Sequence, residues 1–109
     1  MSNPKPDVKI EIFAPPEAEA ALREALAQAG AGVIGDYDHC ATVTPVKGYF
    51  HPLPGADPYS GTKGEIRQVE EVKIEAVCHR EQLAAVDAAI REAHPYEEPV
   101  ILYLPLIQV

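Results

Sequence analysis

An imidazole, a phenol and two carboxylates stand together in His94-Pro95-Tyr96-Glu97-Glu98-Pro99. The prolines fix the backbone of this segment, so its side chains are presented from a shaped turn rather than from a mobile loop. A histidine and a carboxylate a few residues apart can hold zinc, copper or another transition metal, or can pass protons. A purely structural reading stands beside this one. A histidine in the last turn of a helix favours the negative dipole end, prolines shape a turn, and glutamates are content in water. The dipeptides His39-Cys40 and Cys78-His79 form a second grouping, two thiolates and two imidazoles that could meet across a hairpin. Strand geometry opposes that site, because adjacent residues on a strand point to opposite faces. The favoured reading of Cys40 and Cys78 is as small buried apolar side chains.

Other chemistries find little support. Gly61-Thr62-Lys63-Gly64 lacks the preceding strand and following helix of a phosphate-binding loop, which leaves Lys63 a weak candidate for a phosphate ligand. No serine lies in a nucleophile-elbow pattern, and neither cysteine has the flanks of a thiol hydrolase.

The elements that would position these groups are legible from periodicity. Val8, Ile10 and Ile12 alternate with Lys9, Glu11 and Phe13 as a half-buried strand that ends at Pro15-Pro16. From Pro16 to Ala29, the small and apolar residues Ala18, Leu22, Ala25, Leu26 and Ala29 recur at helical spacing, and Gly30 is suited to close that helix. The turn-rich connector Gly30 to Gly35 follows. A second strand is expected from Tyr37 to Val46, at an edge or with a bulge because Pro45 interrupts it. His51 to Gly64 is crowded with proline and glycine and reads as a long ordered loop. Val72, Ile74, Ala76 and Cys78 then alternate with charged residues as the third strand, expected to pair with the second. Arg80 to His94 places Leu83, Val86, Ile90 and Ala93 on one helical stripe, ended by Pro95. Val100 to Leu104 is apolar at consecutive positions, as in a strand covered on both faces.

The order β-α-β-β-α-β predicts an α+β fold, the ferredoxin-like sandwich of a four-stranded antiparallel sheet with two helices on one face. Two helices leave the other face bare. Phe13, Val77 and the final strand, including Ile101 and Tyr103, put apolar side chains there, which calls for self-association.

A chain of 109 residues is expected to form a single domain, 1–109, and its 47% hydrophobic and 24% charged residues are those of a folded protein. The formal charge of −8 repels phosphate backbones and argues against nucleic acid as a partner. No apolar run approaches the roughly 20 residues that span a bilayer, and no leader pattern is read at the N-terminus, so the expected address is cytoplasmic and away from membranes. Two cysteines are too few for a disulfide framework.

Four strings in order then carry a resemblance: Gly30 to Cys40, Asp57-Pro58-Tyr59-Ser60-Gly61, Val69 to Glu75, and His94 to Pro99. Over about residues 7 to 105 the chain resembles the YqfO-type module, an insert in larger proteins of the NGG1p-interacting factor family that also occurs free-standing. The resemblance implies a fold similar to the PII signalling proteins and the CutA divalent-ion-tolerance proteins, with a compact homotrimer whose sheets line the inside. The two-metal site of the larger relatives belongs to the surrounding domain, so its ligands have no counterpart here.

The expected function is a non-enzymatic, oligomeric binding or regulatory module. Its ligand would sit where the connector meets the His94 turn in the same or a neighbouring subunit, with Tyr37, His39, Cys40 and Tyr96 around it. A divalent transition metal, zinc, copper or nickel, would use His39, His94, Glu97 and Glu98. A metal-dependent hydrolase and a purely structural trimeriser are the alternatives.

Overall fold

The computed structural model describes residues 4–59 and 61–109; Met1, Ser2, Asn3 and Ser60 lie outside the described residues, and with them part of the segment in which no leader was expected. The alternating apolar residues near the N-terminus form strand β1, Val8–Ala14. Pro15 is extended and Pro16 opens a 3-10 turn, Pro16–Ala18, which leads into helix α1, Glu19–Gln28. Strand β2 spans Thr42–Phe50 and strand β3 spans Arg67–Cys78. A second 3-10 turn, Arg80–Gln82, precedes helix α2, Leu83–Ala93, and strand β4 is Val100–Pro105. The sheet order is β2-β3-β1-β4, and every neighbouring pair is antiparallel. This is the expected ferredoxin-like arrangement.

Leu22 and Leu26 of α1 and Val86 and Ile90 of α2 are buried with Ile10, Ile12 and Ile74 of the sheet in one apolar cluster. Each such side chain contributes about 1.5–3 kcal/mol by leaving water, and together they seat both helices on one face of the sheet.

The bare face differs from expectation in which residues occupy it. Ile12 lies opposite Ile101 and Ile10 opposite Tyr103, and directly opposed residues share a face. Ile101 and Tyr103 therefore point toward the helices and pack against the core, and the Tyr103 hydroxyl donates to Asp87 Oδ1 of α2 at 2.7 Å. The outward residues of β4 are Val100, Leu102 and Leu104, which are 51, 44 and 38% exposed. Phe13 stands opposite Val100 on that side. Farther in, Glu11 is held by Lys9 at 3.1 Å and Lys73 at 3.4 Å, and Lys9 also pairs with Glu75. The open face is ionic at Lys9, Glu11, Lys73 and Glu75 and apolar along β4, and Phe13 and Val77 lie on it as expected.

The second strand starts at Thr42, later than expected, and runs straight through Pro45 to Phe50. It is an edge strand, so the side without a partner tolerates a residue that has no N–H. Tyr37 to Ala41 belong instead to the connector, where Ile34 and Tyr37 exchange backbone hydrogen bonds at 2.9 and 3.0 Å around a tight turn. Gly32 anchors this turn by donating to the Val77 carbonyl at 2.8 Å, and it has a φ of +80°. A Cβ there would stand 2.8 Å from the Cys40 carbonyl oxygen, so the position requires glycine.

The third strand begins at Arg67, ahead of its apolar alternation, because its first residues pair with β2 beyond the reach of the helices. The two ends of the fold lie side by side. Val8 is opposite Pro105, and the Leu106 N–H donates to the Asp7 carbonyl at 2.9 Å.

Candidate functional site

Helix α2 stops because His94 precedes a proline, which forces it into extended backbone. That change of direction drives the imidazole into the protein, where His94 is only 7% exposed. Its Nε2 lies 2.7 Å from the Phe13 carbonyl oxygen of β1, and its Nδ1 lies 3.1 Å from the Tyr96 amide nitrogen. A carbonyl can only accept and an amide can only donate, so the partners assign the neutral ring with the proton on Nε2. Burial lowers the pKa of this imidazole below its ordinary value.

Tyr96 is the hub of the turn. Its ring lies 4.8 Å from the His94 ring and 5.7 Å from the Tyr59 ring, tilted against both. Its hydroxyl donates to Glu71 Oε2 of β3 at 2.8 Å. Burial first, and then the Glu71 carboxylate, hold the phenol proton on far above the usual range. Glu71 has room for this contact because β2 carries Gly48 beside it, where a Cβ would collide with Oε1.

The long loop closes over the turn through two further bonds. The Asp57 amide donates to Glu97 Oε1 at 3.0 Å, and the Tyr59 hydroxyl donates to Glu17 Oε1 at 2.9 Å. The Glu17 carboxylate raises the Tyr59 pKa as Glu71 raises that of Tyr96. Between loop and turn lies a cleft of about 610 Å³. Phe50, Leu53 and Tyr59 line it from the loop side, and Tyr96, Glu97 and Glu98 from the turn. Its walls are apolar and aromatic with a few polar groups at the rim, the composition of a small-molecule pocket.

The other anticipated residues lie elsewhere. Tyr37 is 74% exposed at the connector turn. His39, at a positive φ of 57°, sets Nδ1 2.9 Å from Asp38 Oδ1 and Nε2 3.3 Å from Glu24 Oε2. The Asp38 hydrogen bond, and then the nearby negative charges, raise its pKa. Cys40 lines a separate depression beside Lys9, Thr42 and Glu75. Of the anticipated ligand set Tyr37, His39, Cys40 and Tyr96, only Tyr96 borders the large cleft.

Nor does one chain gather His39, His94, Glu97 and Glu98: among the described residues, no group of three or more His, Cys, Asp or Glu side chains is arranged to hold a metal ion. His94 in particular has both ring nitrogens engaged. The two-cysteine, two-histidine set across a hairpin does not form either. Cys78 pairs with Val8 of β1, is buried, and has its thiol pKa raised by that burial, while His79 caps the turn ahead of α2. Both cysteines are free.

Glu71, Tyr59, Glu17 and Phe50 were not anticipated as site residues. The signal that could have found two of them was present, since Tyr59 and Glu71 fall inside the strings that carry the family resemblance.

Comparison with known proteins bears out that resemblance. The family model described as "CutA1 divalent ion tolerance protein" matches residues 58–109. Over 100 residues the chain is 42% identical to the "GTP cyclohydrolase 1 type 2 homolog" of Bacillus subtilis, which covers 92% of this chain and 27% of that protein. The protein of the same name from Mycobacterium tuberculosis is 42% identical over 96 residues, 88% of this chain and 25% of the relative. The chain thus spans about a quarter of the length of the curated relatives it matches. Among solved structures, a Bacillus cereus protein related to NIF3 superposes with a TM-score of 0.82 at 33% identity, covering 98% of this chain and 28% of that one. The periplasmic divalent cation tolerance protein CutA from Archaeoglobus fulgidus gives a TM-score of 0.69 at 21% identity, covering 94% of this chain and 85% of its own. The PII-like protein CutA from Nostoc gives 0.67 at 19% identity, covering 91 and 80%. The last two likenesses concern the fold.

Proposed function

We propose that this YqfO-type, PII/CutA-like module is an oligomeric, non-enzymatic binding module that takes a small ligand in the cleft between the long loop and the His94 turn. The observation that carries this reading is the way the cleft is built. Four side chains from distant parts of the sequence, Glu17, Tyr59, Glu71 and Tyr96, spend their polar groups on holding its walls in place, in two tyrosine-to-carboxylate bonds. Walls fixed in advance lower the cost of ordering them around a ligand. The relatives' name refers to a GTP-directed activity, and the acidic rim of Glu97 and Glu98 argues against a triphosphate here. Incubation with GTP is expected to leave the nucleotide intact by chromatography, whereas appearance of a product would overturn the non-enzymatic reading.

Self-association through the open face is the second part of the proposal, supported by exposed Val100, Leu102 and Leu104 in one row on an edge strand. A trimer is the assembly that the family resemblance implies. Metal binding, the other occupant anticipated from sequence, rests now on His39, whose imidazole is exposed and reaches two carboxylates. In that reading, a neighbouring subunit would have to supply further ligands such as Glu97 or Glu98. Calorimetric titration of zinc, copper and nickel into wild-type and His39→Ala protein tests it: micromolar binding lost in the variant supports it, and no binding, or equal binding, removes it. For the cleft, a compound that raises the melting temperature of the wild type and not of Tyr59→Leu supports the site, because only a ligand of the folded state stabilises it. A stabilising compound that acts equally on both proteins places the site elsewhere.

A further inference from the structure

We infer that the cleft between the long loop and the His94 turn selects a cationic organic molecule, an amine or ammonium group carried on an apolar body. The inference rests on the cleft being the ligand site and adds the class of ligand. Tyr59 and Tyr96 border the cleft with ring centroids 5.7 Å apart and planes tilted at 50°, so the rings are not stacked face to face. A ring face attracts a cation through its quadrupole. Both hydroxyls donate to carboxylates, Tyr59 to Glu17 and Tyr96 to Glu71. Donation of that kind pushes electron density back into the ring, so each face becomes a better partner for positive charge. It also fixes the rings and removes their hydroxyls as donors to an anionic ligand.

The charges around the rings have the same sign. Glu97 and Glu98 line the rim, and among the described residues that line the cleft none is Lys or Arg; His51 is the one lining side chain able to carry positive charge. Glu97 keeps one carboxylate oxygen on the Asp57 amide, which leaves the second oxygen for a ligand. Phe50, Pro52 and Leu53 supply an apolar wall for the body of the molecule. An anion would meet carboxylates and electron-rich ring faces, and a neutral molecule would use the apolar wall alone. A cation with an apolar body uses all three.

Three probes of one shape separate these cases: 2-phenylethylamine, 2-phenylethanol and phenylacetate, titrated calorimetrically into the full chain at neutral pH. The amine is expected to bind with one site per chain and about tenfold more tightly than the alcohol, with phenylacetate weakest. Glu98→Gln, a change at an exposed position, is expected to weaken the amine severalfold and leave the alcohol unchanged. Tyr59→Leu keeps apolar bulk and removes the ring, and it should weaken the amine most. Alcohol or phenylacetate binding as tightly as the amine, with sensitivity to Tyr59→Leu, overturns the cationic class and leaves the cleft as a site. Amine binding that neither variant alters is adsorption to an acidic surface and overturns the inference. No binding by any of the three overturns both the ligand class and the cleft.

Discussion

Protonating His94 would set a second N–H against the Tyr96 amide, two donors facing each other where a hydrogen bond now runs. The imidazole therefore serves the fold as a neutral ring, and burial lowers its pKa from the ordinary 6.5. The sign of the pH effect follows. Because the unfolded chain binds this proton more readily, the contribution is fully present above about pH 6.5 and is lost as pH falls through the lowered folded value. His39 acts in the opposite direction: its folded pKa is raised, so its contribution is present below 6.5 and is lost as pH rises through the folded value. Thermal melts between neutral and mildly acidic pH are expected to show a declining melting temperature in a His39→Ala background. That slope should flatten when His94→Gln is added. At neutral pH His94→Gln should cost about 2 kcal/mol, since it strands the Phe13 carbonyl or the Tyr96 amide. An undiminished slope would show that another group titrates there. The sequence displayed His94 and Tyr96 because four chemically able side chains fall within six residues. It concealed their partners, since Glu71 lies 25 positions from Tyr96, and Tyr59 lies 42 from Glu17. Carboxylates on a charged strand look like solvated surface until the fold sets a phenol on one of them.

At the level of elements, the strands and helices with strong apolar periodicity were legible, and the departures have specific causes. Edge position let β2 continue through Pro45. The polar start of β3 pairs only with β2, away from the helices, so no buried stripe marked it. The orientation of β4 could not be read from its own residues, because five consecutive apolar side chains fit either face equally. Register with β1 decided it, and the test of assembly changes accordingly. Ile101→Glu would place a carboxylate against the core and is expected to unfold the chain, a cost of several kcal/mol. Leu102 is the informative position. It faces outward opposite Glu11, so Leu102→Lys is expected to leave the monomer folded while breaking an apolar interface. Light scattering should then report a mass near 11.8 kDa for the variant and a multiple of it for the wild type. Unchanged assembly would mean that the row of Val100, Leu102 and Leu104 is not the contact.

The whole molecule carries a formal charge of −8, and bringing copies together concentrates that charge. Self-repulsion between acidic protomers is long-ranged in dilute buffer and is screened within about 8 Å at physiological ionic strength. An assembly held by the apolar row of β4 should therefore tighten as salt rises from low to physiological levels, measured by sedimentation at fixed protein concentration. Weakening with salt would instead assign the contact to cross-subunit ion pairs. The same architecture bears on how such a module can be carried by another protein. Val8 and Pro105 are partners on adjacent strands, so the chain enters and leaves the fold through neighbouring points, about 5 Å apart in a paired ladder. A host could open one surface loop at a single peptide bond and accept the module there. Its own loop ends would be held as close as a short turn holds them, whatever length of chain intervenes. This chain matches about a quarter of the length of its curated relatives. The clefts and faces farthest from the two ends would then remain free to act in either setting.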